Sequence, residues 1–148
     1  MSCVTSSNAA AVDVRGRLLD RHQLLGVLWM PNDLFHPVGV ITCIVIFQAH
    51  RPHPRDYEVF FGYCKDDGFK KTKHRGRVDE GRWDAIRARW LRSYLNRESI
   101  AGFTVKRAVT ASDEWCAEAY METDYSAIRE EDFERTLREY VAFRVIND

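Results

Sequence analysis

Two apolar runs near the start of the chain restrict the folds open to it. Leu24 to Met30 is apolar at nearly every position, and Val40 to Phe47 is both apolar and rich in β-branched residues. Runs of this kind are typical of strands buried on both faces of a sheet, and both are too short to cross a bilayer. We therefore predict two buried strands that pair antiparallel.

The nine residues from Pro31 to Gly39 connect these strands. They contain two prolines, an Asn-Asp pair, a closing glycine and one aromatic residue, Phe35, that no alternation explains. Antiparallel pairing leaves this connection at one end of the sheet, and loops in such positions commonly carry function.

The rest of the chain predicts a single domain with a mixed α/β (α+β) fold, about four strands and three main helices. The other predicted elements are a helix capped by Ser7 or Asn8 and running to about Arg21, a strand from Tyr57 to Cys64, a basic loop over residues 69–81, a helix from Arg82 to about Asn96, a strand from Gly102 to Val109 and a helix from about Glu130 to Val145. The segment from Glu114 to Tyr125 is ambiguous between a helical turn and a packed loop.

Helical spacing predicts which side chains each helix buries. On the first helix Val14, Leu18 and Leu19 form the predicted buried stripe, and Arg15 lies outside it. On the other two helices the predicted buried residues are Trp83, Ile86, Trp90, Tyr94 and Leu95, and then Phe133, Leu137, Tyr140 and Val141.

Charge gives only weak guidance on partners. The 148 residues carry 22 basic and 22 acidic side chains, so no overall positive field indicates nucleic acid. Residues 65–97 are basic and the part from Asp113 onward is acidic. This uneven charge distribution is expected of a protein with one surface that binds an anionic partner, but it is equally common on ordinary helical surfaces.

Several kinds of site are excluded by the residues present. The four cysteines form no CxxC pair, which indicates reduced thiols in a cytoplasmic protein and no zinc site. The N-terminus has no basic flank and no apolar core, so we predict no secretion signal. His50 and His53 have HxxH spacing but lie in a proline-broken connector, so we predict no metal there. None of the eight glycines makes a GxG turn or a phosphate loop.

The segment 69–81 is a moderate signal for nucleic acid. Its cations could contact phosphates, although acidic residues dilute the patch. They are Lys70, Lys71, Lys73, Arg75 and Arg77.

Three stretches in order carry a family resemblance. They are RGRLLDRHQLLGVLWMPNDLFHPVGVITCIVIFQAH, GYCKDDGFKKTKHRGRVD and DEWCAEAYMETDYS. The first resembles the late catalytic region of bacterial adenine-specific DNA methyltransferases, the modification subunits of type I restriction-modification systems and their relatives. It has the same order of a helix ending in Leu-Leu, a strand ending in Met-Pro, a connection of the form xxLFxxxGxxT and a last strand. The other two stretches resemble a C-terminal extension of these proteins.

The resemblance implies a partial class I methyltransferase-like sheet with an antiparallel β-hairpin. Residues 1–56 would correspond to the last helix and two strands of that sheet, and residues 57–148 to the C-terminal extension. Carried over, Phe35 would stack on the adenine flipped out of the duplex, since an aromatic face can replace lost base stacking. Gly39 would have a backbone role and Thr42 a packing or hydroxyl role. The alternative for Phe35 is that it fills the open end of the hairpin.

Two motifs of that family are missing from this chain. The glycine turn that binds S-adenosylmethionine is absent, and so is the catalytic Asn-Pro-Pro-aromatic motif, because no two of the four prolines are adjacent. We therefore expect the chain to begin after the family's fifth strand. Alone, it should bind no S-adenosylmethionine and hold no catalytic residue. Its expected partners are double-stranded DNA and other restriction-modification subunits.

Two alternative functions and one assembly follow from the same residues. The chain could be a non-enzymatic interaction protein, such as a phage or mobile-element mimic that inhibits a restriction or other defence complex. It could also be half of a split enzyme. Because the chain lacks the upstream part of the family's fold, the apolar edge of the strand Val40 to Phe47 would lack its family neighbour. We therefore predict a homodimer through this edge or its cover by a rearranged local segment.

Overall fold

The computed structural model describes residues 3–35 and 37–147, and these form the predicted mixed α/β fold. The elements are α1 (Ala9–Arg21), β1 (Gln23–Trp29), β2 (Cys43–Gln48), β3 (Glu58–Tyr63), β4 (Phe69–Thr72), β5 (Gly76–Asp79), α2 (Trp83–Leu95), β6 (Thr104–Ala108), a 3-10 turn (Ala117–Ala119) and α3 (Glu130–Asn147). The ambiguous segment near residue 117 is thus a loop with one short turn, anchored by buried Trp115.

Four strands form one mixed sheet in the order β2-β1-β3-β6. β1 pairs antiparallel with β2, with Trp29 opposite Cys43, which confirms the predicted hairpin. β3 lies parallel to β1 on its other side, and β6 pairs antiparallel with β3. The central pair of the sheet is therefore parallel and its two outer strands run the other way.

The main core lies on one face of this sheet. Alternate residues of β1 and β3, such as Val27 and Phe61, pack there against the fully buried ring of Trp115. On the opposite face α2 lies over β3, where the Tyr94 ring meets Phe60 at 5.4 Å between ring centres. Gly62 allows this close approach, because an added Cβ would lie 2.3 Å from the Trp90 ring.

The prediction that the strand Val40 to Phe47 is buried on both faces is wrong. The strand begins only at Cys43, and Val40 and Ile41 precede it in an exposed segment. β2 is an edge strand with one neighbour, so Val45 packs on the main core while Ile44 on the other face is 50% exposed. Apolar runs therefore do not by themselves distinguish a central strand from an edge strand.

Arg15 is buried, contrary to the prediction that it lies on the outer face of the first helix. The predicted cap is correct, since the Asn8 side chain accepts a hydrogen bond from the Ala11 N–H at 2.8 Å. Arg15 is 1% exposed because its guanidinium donates to backbone carbonyls of the N-terminal segment and of Ala111, whereas Val14 is partly exposed.

Residues 69–81 were predicted as a loop, and this is wrong because β4 and β5 pair there as an antiparallel hairpin. The turn is closed by the Thr72 hydroxyl, which donates to the Gly76 carbonyl and accepts from the Arg75 N–H. Gly76 has a φ of +67°, which favours glycine. The strands are short and polar, so they leave no apolar alternation in the sequence.

Burial on the other two helices was only partly predicted. Ile86, Trp90 and Tyr94 of α2 are half-buried as expected, but Trp83 and Leu95 are exposed. On α3 the prediction is wrong, because the predicted buried residues are all more than half exposed; they are Phe133, Leu137, Tyr140 and Val141. The physical reason is that α3 contributes nothing to the core cluster of the described residues. No described helix is both long and apolar enough to span a membrane.

Candidate nucleic-acid interface

The carboxyl ends of the two parallel strands meet at one edge of the sheet. The Cys64 N–H donates to the Trp29 carbonyl at 2.8 Å, which holds the two strand ends together. The segments that leave this edge are the connection of residues 31–42, the hairpin β4–β5 and, facing Tyr63, the turn at Phe103. Open α/β sheets bind ligands at this kind of edge.

Phe35 lies in the connection between β1 and β2 and points its ring largely into solvent. The connection folds as turns, with the Leu34 N–H donating to the Pro31 carbonyl at 3.3 Å and the Val38 N–H to the Phe35 carbonyl at 3.0 Å. Phe35 is 56% exposed. An exposed ring held on a turn is available to a planar ligand.

Gly39 and Thr42 lie in the same connection but differ in their surroundings. An added Cβ on Gly39 would meet nothing closer than the Asn32 carbonyl at 4.0 Å, so space does not require glycine here. The Thr42 carbonyl accepts a hydrogen bond from the Met30 N–H at 2.9 Å. The Thr42 hydroxyl is buried and has no hydrogen-bond partner among the described residues.

Four of the five candidate DNA-contacting cations lie on the outside of the hairpin. They are exposed and form no ion pair with the part of the chain that the structure describes; they are Lys70, Lys71, Lys73 and Arg75. Lys70 and Lys71 are consecutive in β4, so their side chains lie on opposite faces of the hairpin. Lys73 and Arg75 lie in its turn.

Arg77 has an internal role in the structure. Its side chain is 15% exposed, forms an ion pair with Asp67 and lies 5.2 Å from the centre of the Phe69 ring. A second carboxylate, that of Asp33 in the connection, lies 3.7 Å from the same guanidinium. Arg77 therefore joins the hairpin to the connection that carries Phe35.

A second ion-pair network closes the base of the hairpin. Arg82 forms ion pairs with Asp66 and, at 2.7 Å, with Glu80. The hydrogen bond from Arg82 and the Gly68 N–H lower the pKa of the Asp66 carboxyl. The same acidic partners raise the pKa of Arg82. These contacts fix the strand ends of the hairpin.

Sequence reasoning missed a cavity of about 330 Å³ beside the hairpin base. It lies between the end of β3, α2 and the turn at Phe103, with Lys65 and Arg89 among its lining residues. Arg89 lies off the buried stripe predicted for its helix and Lys65 follows the predicted strand Tyr57 to Cys64, so no sequence signal joined them. The described residues contain no group of three metal-ligating side chains, and the HxxH pair forms no such group.

Comparison with known proteins identifies the family. Residues 2–148 match the family model described as N-6 DNA Methylase. The chain is 35% identical over 129 residues to the type II restriction enzyme and methyltransferase RM.BcgI of Heyndrickxia coagulans. The aligned region covers 86% of this chain and 20% of that protein.

Solved structures share the fold. The type I restriction-modification methyltransferase subunit from Streptococcus thermophilus superposes with a TM-score of 0.60 at 20% identity, over 82% of this chain and 25% of that one. A second solved structure, described as the structural basis of complex assembly and conformational transition of the type I R-M system, superposes with a TM-score of 0.58 at 16% identity. The match covers 97% of this chain and 32% of the other chain.

The chain thus spans only a fifth to a third of the length of these relatives. The matches confirm the resemblance inferred from the sequence and do not favour the alternative of a non-enzymatic mimic. By the match over nearly all of its residues, this chain belongs to the N-6 DNA methylase family.

Proposed function

We propose that this chain supplies the target-base and DNA-backbone contacts of an adenine-specific DNA methyltransferase of a restriction-modification system. In this proposal the ring of Phe35 stacks on the extruded adenine. The exposed hairpin cations bind the phosphates beside it; they are Lys70, Lys71, Lys73 and Arg75. Arg77 positions the hairpin and does not contact DNA.

The observation that supports this proposal most strongly is the contact between Arg77 and Asp33. It brings an exposed aromatic ring and an exposed positive ribbon to the same edge of the sheet. A base extruded from a duplex leaves its phosphates in place, so a protein that binds it needs a stacking surface and a phosphate-binding surface side by side.

The chain's residues do not fit S-adenosylmethionine at this edge. The segment after β1 reads Met-Pro-Asn-Asp and the segment after β3 reads Cys-Lys-Asp-Asp-Gly, so neither contains the GxG turn that lets the backbone approach a nucleoside. We propose that the chain alone binds no methyl donor and transfers no methyl group. Calorimetric titration with S-adenosylmethionine tests this, and a saturable isotherm would contradict it.

The assembly of the protein is also part of the proposal. Matching solved structures come from type I restriction-modification systems, and α3 exposes an apolar stripe that includes Phe133 and Leu137. We infer that this stripe contacts another subunit of such a system. A DNA-modifying role places the protein in the cytoplasm, with which its free cysteines are compatible.

The stacking role can be tested without knowing the recognition sequence. A duplex with one bulged 2-aminopurine presents an extrahelical base in any sequence context. We expect the chain to quench the fluorescence of this base and to bind the bulged duplex more tightly than a fully paired one, by about fivefold or more, since aromatic stacking is worth at least about 1 kcal/mol.

Phe35→Ala should abolish both effects, because it removes the stacking face. Val38→Ala is the matched control, since Val38 is also exposed in the same connection. Lys71→Gln and Lys73→Gln should weaken binding to both duplexes alike and lower the salt slope by about one per cation. Equal quenching by the Phe35→Ala variant would overturn the assignment of Phe35.

A further inference from the structure

The cavity beside the hairpin base combines aromatic walls with three cations, of which Arg82 is paired with Asp66 and Glu80 while Lys65 and Arg89 form no ion pair with the described residues. Trp90 and Phe103 form one wall with their ring centres 4.6 Å apart, and Tyr63 contributes to another. The cavity volume of about 330 Å³ lies at the lower end of the range of small-ligand pockets. Planar groups of the size of a nucleotide suit such a space.

Lys65 and Arg89 each lie over an aromatic ring. The Arg89 guanidinium carbon lies 4.1 Å from the centre of the Phe103 ring, and the Lys65 ammonium lies 5.2 Å from the centre of the Tyr63 ring. Such contacts orient a cation while leaving its N–H groups free to donate. Neither side chain has an ion-pair partner among the described residues.

The acidic groups at the same cavity are already engaged. Asp66 is paired with Arg82 and accepts from the Gly68 N–H at 2.8 Å. The Asp124 carboxylate accepts from the Ser126 N–H at 2.9 Å. Hydrogen bonds from Ser126 lower the pKa of the Asp124 carboxyl and the charge of Arg89 also helps to lower it, so Arg89 and Asp124 interact, but neither Lys65 nor Arg89 forms an ion pair with a described carboxylate. Their N–H groups are left to donate to a ligand, and the ligand that suits them is an anion.

The cavity lies at the base of the hairpin that carries the exposed cations. Asp66 and Arg82 line the cavity, and the hairpin β4–β5 lies between these two residues in the chain. A nucleic-acid strand that is bound by the exposed cations of the hairpin and runs toward the base of the hairpin would reach the cavity.

We propose that this cavity is a nucleotide subsite, in which Lys65 and Arg89 bind a phosphate of a DNA strand and the Trp90–Phe103 wall accepts the adjoining base. The inference rests on the proposed DNA-binding function, because the strand is the one held by the hairpin. It adds a second nucleotide position, separate from the base held by Phe35.

The indole N–H of Trp90 provides a local probe. Trp90 lines the cavity next to Cys64, while the Trp29 indole donates to the Trp115 carbonyl inside the main core. We would titrate the ¹⁵N-labelled chain with inorganic phosphate, thymidine 5′-monophosphate and an oligothymidylate of about eight nucleotides, a length within the usual site size. The Trp90 signal should shift with the mononucleotide and, at lower concentration, with the oligonucleotide, and the Trp29 signal should not move.

Arg89→Gln and Lys65→Gln should each weaken oligothymidylate binding about tenfold, since each removes charge-assisted hydrogen bonds. The matched control is Arg92→Gln, an exposed cation of the same helix that does not line the cavity, and it should stay within about twofold. All three positions are at the surface, and thermal melting checks that the variants are folded.

Two results would overturn the subsite. A Trp90 signal unmoved by an oligonucleotide that anisotropy shows to bind would place the strand elsewhere. Inorganic phosphate binding as tightly as the oligonucleotide would show an anion site without base recognition. Failure of the proposed function has a different signature, because the Phe35→Ala variant would then quench the bulged base normally while the Trp90 signal still responds to oligothymidylate.

Discussion

Arg15 is the residue on which the start of the chain depends. Its guanidinium donates to the carbonyls of Cys3, Ser6 and Ala111, and lies 5.9 Å from the centre of the Trp115 ring. It therefore fixes the N-terminal segment and the loop after β6 against the main core. No carboxylate is needed, because three carbonyl oxygens share the charge.

Replacing Arg15 by Gln should lower the free energy of unfolding by about 3 kcal/mol, since buried carbonyls lose their donors. Arg17→Gln is the control, because Arg17 is exposed and its i,i+4 pair with Asp13 contributes little. Urea denaturation of both variants measures the difference. Equal midpoints would show that Arg15 has no such role.

His53 should make stability depend on pH. Its Nδ1 accepts from the Leu24 N–H at 3.2 Å, and burial lowers its pKa below the usual 6.5. The neutral imidazole therefore stabilises the fold fully above pH 6.5, and this contribution is lost as the pH falls below 6.5 toward the lower folded-state pKa.

In the His53→Gln variant, the free energy of unfolding should fall less steeply below pH 6.5 than it does in the original chain. His74→Gln, at an exposed position on the hairpin turn, should leave it unchanged. Thermal melts at a series of pH values measure both slopes. A variant with the original slope would exclude His53 as the titrating group.

At the scale of single residues, the sequence predicted interactions between neighbours in the chain and missed interactions between residues far apart in the chain. The cap at Asn8 follows from a short-range preference that any helix start displays. The burial of Arg15 depends on a carbonyl 96 positions away, at Ala111, and no periodicity within one helix contains that information.

Among the elements, the hairpin β4–β5 combines its backbone pairing with side-chain ion pairs. Arg77 pairs with Asp67 inside it and with Asp33 outside it, so one side chain stabilises the ribbon and its position. Because Asp33 belongs to the connection of Phe35, loosening the hairpin should also loosen the proposed base-stacking site.

Arg77→Gln should destabilise the protein by about 2 kcal/mol, since it leaves largely buried carboxylates unpaired. It should also speed amide exchange in β4 and in the connection. Lys73→Gln is the matched control from the same hairpin and should alter DNA binding alone. If Arg77→Gln weakened DNA binding as Lys73→Gln does, with no change in exchange, Arg77 would be a DNA contact.

The element boundaries show which patterns predict structure. The strands of the sheet were predicted because they bury apolar side chains, which leaves alternating or continuous apolar runs. The hairpin was missed because its strands are four residues long each and carry no apolar alternation. The cavity was missed because Lys65 and Arg89 are brought together only when α2 packs on β3.

For the molecule as a whole, two apolar surfaces have no cover among the described residues. One is the free edge of β2 with exposed Ile44, and the other is the stripe of α3. A free edge with exposed apolar side chains favours strand pairing with another chain. The predicted homodimer through this edge stays a prediction.

We expect a concentration-dependent dimer in analytical ultracentrifugation, and Ile44→Lys should disrupt it because a charge on an edge strand opposes pairing. Leu91→Lys, at an exposed apolar position of α2, is the control. A monomer at all concentrations would refute the dimer. Loss of the dimer in Leu137→Lys but not in Ile44→Lys would assign the interface to α3.

Gly62 allows α2 to lie close to β3, and Trp90 of α2 lines the cavity. The ring of Trp90 lies where any side chain at position 62 would be, so even alanine would lift α2 from β3 and deform the pocket with it. Lys65 and Arg89 are exposed at the cavity, so their substitution should leave the packing of α2 on β3 unchanged. We therefore expect relatives with this architecture to vary at positions 65 and 89 and to keep glycine at position 62.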